Sequence, residues 1–355
     1  MIKHLFVKGT PLQIGKCIGE EYKEAIRNYI LWRNDLMNIE LRELGLIFES
    51  AKYHAIAPKI LINLQRVAPE EFEELKGLSD ATGCDLADIV FAIGYTDIFD
   101  MYLDNDIRDE YNQECSCFIT TASIDKSSYI VCGQNWDVDG KTKDNLCFIT
   151  KEYSDGTIIF ALTTIMGLTH IGMNQFGIAV GTANLSCRHT QPFIIFPVVV
   201  QKILRAKSKG DVLKVLDLQR FSGHYYYIGF PENYALSVET TDHEHRVRQY
   251  NVGMHAYTHT NHYKEETLKH KGYNYSPSST QRDSAMGQLL ENTHTIEDIT
   301  GIMGNHEYGL CRHADIMSMP QATTTCSSVI FVPTKKKIYI ANDNPCKNNW
   351  VIMKE

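Results

Sequence analysis

The sequence of 355 residues changes character at Cys115, and that change limits the folds it can adopt. Before Cys115, apolar residues recur at three- and four-residue intervals, which is the period of amphipathic helices. After Cys115, apolar runs of strand length alternate with short turn sequences, which is the pattern of antiparallel hairpins. A helical first third followed by paired strands and a few further helices predicts an α+β fold in which helices cover antiparallel sheets.

Three stretches of the first third predict helices. Residues 10–13 (Thr-Pro-Leu-Gln) have the form of a capping box with proline at the first helical position, and the stretch that follows to Tyr29 has one apolar face. Residues 69–78 and 85–99 also carry helical signals. The segment 1–114 is therefore predicted to be mainly helical.

The rest of the chain predicts strands with a few helices. Pairs of strands that flank short turns are predicted at residues 117–122 and 129–132, 148–153 and 157–162, and 169–173 and 178–181. Further strands are predicted at residues 225–230, 235–240 and 329–340, and helices at residues 197–206 and 282–291. Hairpins that follow one another favour antiparallel sheets, which the helices then cover.

Composition excludes some classes of function. The net charge of −8 gives no support to a nucleic-acid partner, because phosphate binding needs a concentrated basic surface and the short basic run at residues 335–337 is typical of a solvated turn. No apolar run has the length of a membrane span, and the first residues lack the apolar stretch of a signal peptide. Ten cysteines without a framework spacing fit a reducing compartment, so a cytoplasmic protein without a membrane partner is expected.

The sequence around Cys115 predicts a chain that cuts itself. The Cys115 thiol can attack the carbonyl carbon of Glu114 and form a thioester, which water then hydrolyses. Cleavage between Glu114 and Cys115 leaves Cys115 as a new N-terminus, whose α-amino group can take the thiol proton. Reference pKa values of about 8.5 for a cysteine thiol and about 8 for an α-amine make this proton transfer cost less than about 1 kcal/mol.

A set of short motifs follows the order that is typical of one family. The motifs are residues 9–15, 115–118, 133–137, 172–180, 184–185, 259–262, 311–313 and 344–346. In this order they resemble the isopenicillin N acyltransferase family, also called the C45 autoproteolytic acyltransferase/hydrolase family, within the N-terminal-nucleophile hydrolase superfamily. The resemblance covers nearly the whole chain. It implies a four-layer αββα fold without a cofactor, in which a helical pro-segment of residues 1–114 stays associated with a catalytic part of residues 115–355 after cleavage.

The resemblance also implies roles for five residues. Cys115 is expected to be the nucleophile, and Asp137 is expected to orient its freed amine. Asn261 resembles the side-chain donor of an oxyanion hole to which the backbone N–H of Asn184 contributes, and each such donor is worth about 3 kcal/mol in the transition state. Arg282 resembles an arginine that supports the nucleophile. Without the resemblance, Arg282 fits an exposed position in the first turn of a helix equally well.

Three residues next to Asp137 are predicted to contact substrate, namely Gln134, Asn135 and Trp136. The related bile salt hydrolases carry arginine where this chain has Gln134, so bile salts are not the expected substrate. The penicillin-forming enzyme has a Ser-Arg pair where residues 322–325 are Ala-Thr-Thr-Thr, so penicillin formation is not expected. The expected reaction is hydrolysis of a linear amide in a small N-acyl compound. Transfer of the acyl group to an amine, with an acyl thioester as a second type of donor, stays open.

Other interpretations of the cysteines remain open at this stage. Cys117 is a rival nucleophile, because it lies two residues along and on the same face of a regular strand. A papain-like site built from Cys115, His259 and Asn261 would need no cleavage. An uncleaved relative that has no activity and serves in binding or assembly is the alternative to an enzyme. The oligomeric state is not predicted.

The histidines raise the question of a metal site. His259, His262 and His313 occur in a chain that also has many cysteines. No spacing matches a zinc signature, because the close pair Cys115 and Cys117 lacks a second close pair. The sequence therefore predicts no metal site.

Overall fold

The computed structural model describes residues 2–103, 115–273, 277–291 and 295–353, and within them the chain forms ten α-helices and fourteen β-strands. The helices are α1 (Pro11–Glu21), α2 (Lys23–Glu43), α3 (Ser50–Val67), α4 (Pro69–Thr82), α5 (Leu86–Ile93), α6 (Tyr95–Asp100), α7 (Phe196–Arg205), α8 (Lys209–Leu216), α9 (Pro277–Leu290) and α10 (Ile296–Met303). None of these described helices has both the length and the apolar character that crossing a membrane requires. The strands are β1 (Lys3–Gly9), β2 (Ser116–Ile124), β3 (Ser127–Asp139), β4 (Leu146–Tyr153), β5 (Ile158–Thr164), β6 (Ile171–Asn174), β7 (Ala179–Asn184), β8 (His224–Phe230), β9 (Tyr234–Thr240), β10 (His245–Asn251), β11 (Tyr257–His259), β12 (Thr323–Val332), β13 (Lys337–Asn342) and β14 (Trp350–Met353).

The strands form two sheets. The larger sheet has eight strands in the order β1-β4-β5-β6-β7-β8-β9-β10, and the smaller has six in the order β11-β2-β3-β12-β13-β14. Strands β1 and β4 run parallel, and the other neighbours are antiparallel. Most neighbours in each sheet are also neighbours along the chain, which is the arrangement that successive hairpins produce.

Three separate apolar clusters fill the spaces between the layers. The first lies between helices α1 to α8 and the eight-stranded sheet, and it includes Ile14 and Val180. The second lies between the two sheets and includes Cys117 and Tyr225. The third lies between the six-stranded sheet and helices α9 and α10, and it includes Phe118. This order of helices, sheet, sheet and helices confirms the predicted four-layer αββα fold.

The structure confirms the predictions that depended on local sequence. At the start of α1, Gln13 N–H donates to Thr10 Oγ1 and Thr10 N–H donates to Gln13 Oε1, which completes the capping box. The three predicted hairpins are present as β2 with β3, β4 with β5, and β6 with β7. Local sequence signals were therefore sufficient to predict the start of α1 and the three hairpins, whose strands are neighbours along the chain.

Three predicted helices have different bounds in the structure. The first ends at Glu21, and α2 begins after it rather than continuing the same helix. The predicted helix at residues 85–99 divides at Gly94, which packs so tightly that a Cβ atom there would lie 2.6 Å from Ile195 Cγ2. Helix α9 begins at Pro277 rather than Arg282, because proline is favoured in the first turn. Arg282 therefore lies inside α9.

Two elements before Cys115 are absent from the sequence-based predictions, namely α3 and β1. Strand β1 pairs with β4, so its partner lies far along the chain and no turn between them marks the pairing. The segment before Cys115 thus contributes an edge strand to the larger sheet as well as six helices in its described part.

Helices α1 and α4 are in direct backbone contact at two glycines. A Cβ atom on Gly15 would lie 1.9 Å from the carbonyl oxygen of Glu74, and one on Gly77 would lie 2.1 Å from that of Leu12. We expect Gly15→Ala to lower the free energy of unfolding by about 1–3 kcal/mol, because the added methyl group forces the helices apart. Urea titration measures this change. The control is Gly301→Ala in α10, where no atom lies within 4 Å of the new methyl group; an equal loss in both variants would contradict the packing argument.

Candidate active site

A cavity of about 100 Å³ opens where the N-terminal helices meet both sheets. Its wall consists of Arg33, Leu36, Glu40, Tyr95, Thr96, Cys115, Gln134, residues 136–139, His170, Ile171, Thr182, Asn184, Phe196, His224 and Thr323. Segments that are far apart in the sequence therefore meet at one place, and Cys115 is among them.

Cys115 lies on the cavity wall immediately before β2. It is 8% exposed, and its Sγ lies 3.8 Å from the backbone carbonyl oxygen of Asp137. Asp137 is also buried and also lines the cavity. Glu114, on the other side of the predicted cleavage, lies outside the described residues. The structure thus places the predicted nucleophile and the residue predicted to orient its amine side by side.

Cys117 has a different environment from Cys115. It is fully buried in the cluster between the two sheets and is not among the residues that line the cavity. Burial and the neighbouring Cys115 raise the pKa of the Cys117 thiol well above its ordinary value. A thiol that stays protonated and has no access to the cavity is a poor nucleophile. The geometry therefore favours Cys115 over Cys117.

Arg282 connects Cys115 to Asn261. Its Nη1 donates to the carbonyl oxygen of Cys115 at 2.7 Å and to Ser116 Oγ at 3.0 Å. Its Nη2 donates to Asn261 Oδ1 at 3.2 Å. Arg282 is 1% exposed, so the alternative of an exposed position in the first turn of a helix is wrong. A guanidinium group is always charged, and here the charge is fixed next to the main chain of the cysteine.

Asn261 extends this set of hydrogen bonds to the cavity wall. Its Nδ2 donates to the backbone carbonyl oxygen of Asn184 at 3.1 Å, and its own N–H donates to Ser279 Oγ at 3.0 Å. Asn184 lines the cavity, and Asn261, which is not among the residues of its wall, contacts Asn184 directly. The structure therefore brings Cys115, Arg282, Asn261 and Asn184 together in one connected group. The roles of the two asparagines in an oxyanion hole stay a prediction.

The three residues predicted to contact substrate do not share one environment. Gln134 lines the cavity, and its amide exchanges hydrogen bonds of 2.9 and 3.0 Å with the backbone of Thr182, which link β3 to β7. Trp136 also lines the cavity. Asn135 points to the opposite face of β3, because side chains alternate along a strand, and it donates to the carbonyl oxygen of Met303 at 2.9 Å. The prediction that Asn135 contacts substrate is therefore wrong.

Aromatic rings form one uncharged side of the cavity. Trp136 stacks on His170 with ring centroids 5.2 Å apart, and Phe196 stacks on His224 at 4.6 Å. Burial lowers the pKa of both histidines to about 3. Both rings are therefore neutral near pH 7, and this side of the cavity suits an apolar or aromatic group.

The N-terminal helices supply the charged side of the cavity. Arg33 Nη1 and Trp32 Nε1 each donate to the carboxylate of Asp139, both at 2.9 Å, which ties α2 to the end of β3. The Tyr95 hydroxyl donates to Glu40 Oε2 at 2.7 Å, yet burial raises the pKa of Glu40 to about 7. Residues from before the predicted cleavage therefore form part of the site.

The charged residues of α2 were not predicted to belong to the site, although the sequence carries a signal for them. Arg33 and Glu40 follow Tyr29 at helical spacing, on the apolar face of an amphipathic helix. A charged residue on such a face is rarely buried unless it is paired. Arg33 is paired with Asp139, and both line the cavity.

The structure does not assemble the papain-like alternative. His259 Nδ1 lies 2.9 Å from the carbonyl oxygen of Thr260, and its Nε2 lies 2.9 Å from Glu239 Oε1. Both ring nitrogens of His259 are therefore engaged by oxygen atoms other than those of the candidate site. Burial raises the pKa of the Glu239 carboxyl, but the hydrogen bond and the electrostatic interaction with His259 hold that pKa below its ordinary value. His259 is thus bound away from Cys115, and a Cys115–His259 pair is wrong.

Some solved structures share a low level of similarity with the chain. A mutant of the conjugated bile acid hydrolase from Clostridium perfringens is 12% identical, with a TM-score of 0.41, over 67% of this chain and 97% of that chain. Penicillin V acylase from Agrobacterium tumefaciens is 12% identical, with a TM-score of 0.42, over 64% of this chain and 83% of that chain. Similarity at this level transfers neither a substrate nor a residue role.

The family is established by a family model. The model described as acyl-coenzyme A:6-aminopenicillanic acid acyl-transferase matches residues 124–347. The match covers more than half of the chain and includes Asp137, Asn184, Asn261 and Arg282, whereas Cys115 precedes it. Together with the αββα layers and the group of residues around Cys115, it supports one conclusion. The chain belongs to the acyl-coenzyme A:6-aminopenicillanic acid acyl-transferase family.

Proposed function

We propose that this acyltransferase or amidohydrolase of the N-terminal-nucleophile type processes itself and uses Cys115 to cleave a linear amide in a small N-acyl compound. The observation that carries the proposal is the position of Cys115. Its Sγ lies at the wall of a cavity, and its carbonyl oxygen is held by the buried guanidinium of Arg282. A thiol with access to a cavity and a fixed main chain is suited to attack a bound carbonyl group.

The proposed nucleophile forms by cleavage of the bond between Glu114 and Cys115. The thiol attacks the carbonyl carbon of Glu114, and the C–N bond between Glu114 and Cys115 breaks. Water then hydrolyses the resulting thioester. Cys115 then carries a free α-amino group. Asp137, whose backbone carbonyl lies next to Cys115 Sγ, is the residue that we assign to orient this amine.

Each turnover then passes through a thioester. The α-amine of Cys115 takes the thiol proton, and the thiolate attacks the carbonyl carbon of the substrate amide. The developing oxyanion receives hydrogen bonds from the Asn261 side chain and the Asn184 backbone N–H. The substrate amine leaves with the proton that the α-amine held, and the acyl group stays on sulfur. Water then releases the acid, or an acceptor amine takes the acyl group.

The cavity supports a small and largely uncharged substrate. A volume of about 100 Å³ leaves room for a small substrate only. The stacked rings of Trp136 and Phe196 offer an apolar surface for the acyl group. Within the described part of the chain, the buried atoms Thr96 Oγ1, His224 Nε2 and Asn184 Oδ1 have no hydrogen-bond partner, and all three residues line the cavity. These atoms can bind the polar groups of an amide.

We also propose that residues 1–114 stay bound to residues 115–355 after cleavage. Helix α2 supplies Arg33 and Glu40 to the cavity, and Arg33 is paired with Asp139 of β3 at 2.9 Å. Strand β1 is hydrogen-bonded along β4 in the larger sheet. Loss of the N-terminal fragment would therefore open the site and expose a sheet edge.

A panel of neutral N-acyl amides tests the proposed reaction. We expect the purified protein to release free acid from a compound with a short apolar or aromatic acyl group. Added hydroxylamine should yield the acyl hydroxamate in parallel, because both products come from one thioester. An acyl thioester included in the panel tests the second type of donor. No product from either donor, together with no labelling of Cys115 by a thiol-reactive acylating probe, would favour the non-catalytic alternative.

Substitution of Asn261 separates two roles for that residue. We expect Asn261→Ala to lower kcat for amide turnover by about 10²–10³, the usual effect of removing one oxyanion donor. Asn261→Asp keeps an oxygen for the 3.2 Å hydrogen bond from Arg282 but removes the amide donor, so it should lower kcat as strongly. Steady-state kinetics measure both variants. Near-normal kcat in Asn261→Asp would mean that Asn261 only positions Arg282.

A further inference from the structure

We propose that four side chains outside the cavity, His306, Cys311, His313 and Cys346, bind a zinc ion. One ligating atom from each residue lies within 4.8 Å of every other. None of the four is among the described residues that line the cavity. The sequence predicted no metal site because Cys346 is separated by 33 positions from His313, and only the fold brings them together.

Three of the six distances between the four ligating atoms, those that involve His313 Nε2, are close to the distances in a zinc tetrahedron. His313 Nε2 lies 3.2 Å from His306 Nε2, 3.3 Å from Cys346 Sγ and 3.6 Å from Cys311 Sγ. With Zn–N bonds of about 2.0 Å and Zn–S bonds of about 2.3 Å, tetrahedral geometry requires about 3.3 Å between two nitrogens and about 3.6 Å between nitrogen and sulfur. Each of the three distances lies within about 0.3 Å of its required value.

Hydrogen bonding alone does not account for this arrangement. A neutral imidazole nitrogen carries either one hydrogen or one lone pair, so His313 Nε2 cannot form three hydrogen bonds at once. A shared cation satisfies all four ligating atoms together. Two thiolates and two imidazoles in tetrahedral positions select zinc among the common divalent ions.

The backbone around the cluster positions its ligands. Asn344 Nδ2 donates to the carbonyl oxygen of Arg312 at 2.6 Å and lies 3.8 Å from Cys311 Sγ, as a hydrogen bond to a metal-bound thiolate would require. Gly304 packs against the backbone of Cys346, because a Cβ atom on Gly304 would lie 3.2 Å from Cys346 Cα. Larger side chains at residue 304 would push the two segments apart.

Four protein ligands fill a tetrahedral zinc site, and filled sites are structural rather than catalytic. The zinc would join the segment after α10 to the turn between β13 and β14. The side chain of Asn135 on β3 donates to the carbonyl oxygen of Leu310 in that segment at 2.6 Å and to that of Met303 at the end of α10 at 2.9 Å. The segment ends at Thr323 on the cavity wall. We infer that the metal fixes the strand that carries Asp137.

Zinc content and cobalt spectra of the full-length chain test this site. Elemental analysis should find about one zinc per chain in protein expressed with added zinc and washed with chelator. His306→Ala and Cys346→Ser should reduce the zinc content at least tenfold. His306 is exposed, so its substitution disturbs little packing, and circular dichroism verifies that both variants fold. Cys17→Ser, which removes an exposed thiol elsewhere, is the control and should keep its zinc.

Cobalt(II) gives a readout that does not depend on zinc retention. Wild-type protein stripped of metal and loaded with cobalt should show thiolate-to-metal absorption and the intense visible bands of tetrahedral cobalt. His306→Ala should lose the tetrahedral bands. Absence of zinc and of these bands in wild-type protein would overturn the proposal. So would equal zinc content in wild type and both variants, or a disulfide between Cys311 and Cys346 in non-reduced peptides.

Discussion

Cys115→Ala is expected to give one uncut chain without amide turnover, whereas wild-type protein gives two fragments that meet immediately before Cys115. The substitution removes the thiol that lies at the cavity wall, 3.8 Å from the carbonyl oxygen of Asp137. No other group replaces a lost nucleophile, so kcat/KM for the amide should fall by at least about 10³. Intact-mass spectrometry measures the cleavage, and acid release measures the turnover.

Cys117→Ala is the matched control, because it removes a thiol only two residues along the chain, at the start of β2. Cys117 is fully buried between the sheets, and burial together with Cys115 raises the pKa of its thiol well above the ordinary value. The variant should therefore process itself and turn over amide as wild type does. Cleavage that fails in Cys117→Ala but proceeds in Cys115→Ala would make Cys117 the nucleophile. An uncut wild-type chain with full amide activity would contradict self-processing.

The parts of the fold that local sequence encodes could be predicted, and the non-local parts could not. The capping box at Thr10 and the turn between β2 and β3 depend on residues a few positions apart. The pairing of β1 with β4 depends on contacts between distant segments. Gly94 lies between α5 and α6 and packs against Ile195, and no feature of the nearby sequence predicts that contact.

The candidate site was predictable where motifs carried it. The family resemblance named Cys115, Arg282, Asn261 and Asn184, and the structure joins them by hydrogen bonds. The opposite wall, with Arg33 and its neighbours, comes from packing of the N-terminal helices and has no motif. Helical spacing nevertheless placed Arg33 on an apolar face, which is a signal for a paired, buried charge.

The side chains of the motif at residues 134–136 point to two different faces of β3. Successive side chains of a strand point to opposite faces, so Gln134 and Trp136 share one face and Asn135 faces the other. The first two line the cavity, and Asn135 binds the carbonyl oxygens of Met303 and Leu310. The predicted strand ended at residue 132, whereas β3 continues to Asp139, so strand alternation could not be applied to Asn135 from the sequence prediction.

A buried polar network joins the segment before Cys115 to the larger sheet. Lys151 Nζ of β4 donates to Glu74 Oε1 of α4 and to Gln201 Oε1 of α7, both at 2.7 Å. The Tyr153 hydroxyl and Gln201 Nε2 donate to Glu74 Oε2 at 2.6 and 2.8 Å. Lys151 and Glu74 are almost completely buried, and their side chains are held by three different elements. The buried ammonium of Lys151 and the buried carboxylate of Glu74 therefore stabilise each other.

We expect Lys151→Met to lower the free energy of unfolding by about 3–5 kcal/mol, because it leaves the Glu74 carboxylate buried without its cation. Urea titration followed by far-ultraviolet circular dichroism measures the change. Lys8→Met is the matched control in the neighbouring strand β1. Lys8 pairs with Glu152 at the surface, where its side chain is 65% exposed, so this loss should stay below about 1 kcal/mol.

A double variant distinguishes an uncompensated charge from lost packing. Lys151→Met combined with Glu74→Gln removes both charges and keeps the side-chain volumes similar. Because removal of a whole buried pair costs less than removal of one partner, the double variant should be more stable than Lys151→Met alone by at least about 1 kcal/mol. The single variant Glu74→Gln completes the comparison. If the stability losses of Lys151→Met and Glu74→Gln simply add in the double variant, the two charges act independently. In that case packing, rather than the attraction between the charges, holds the N-terminal segment to the sheet.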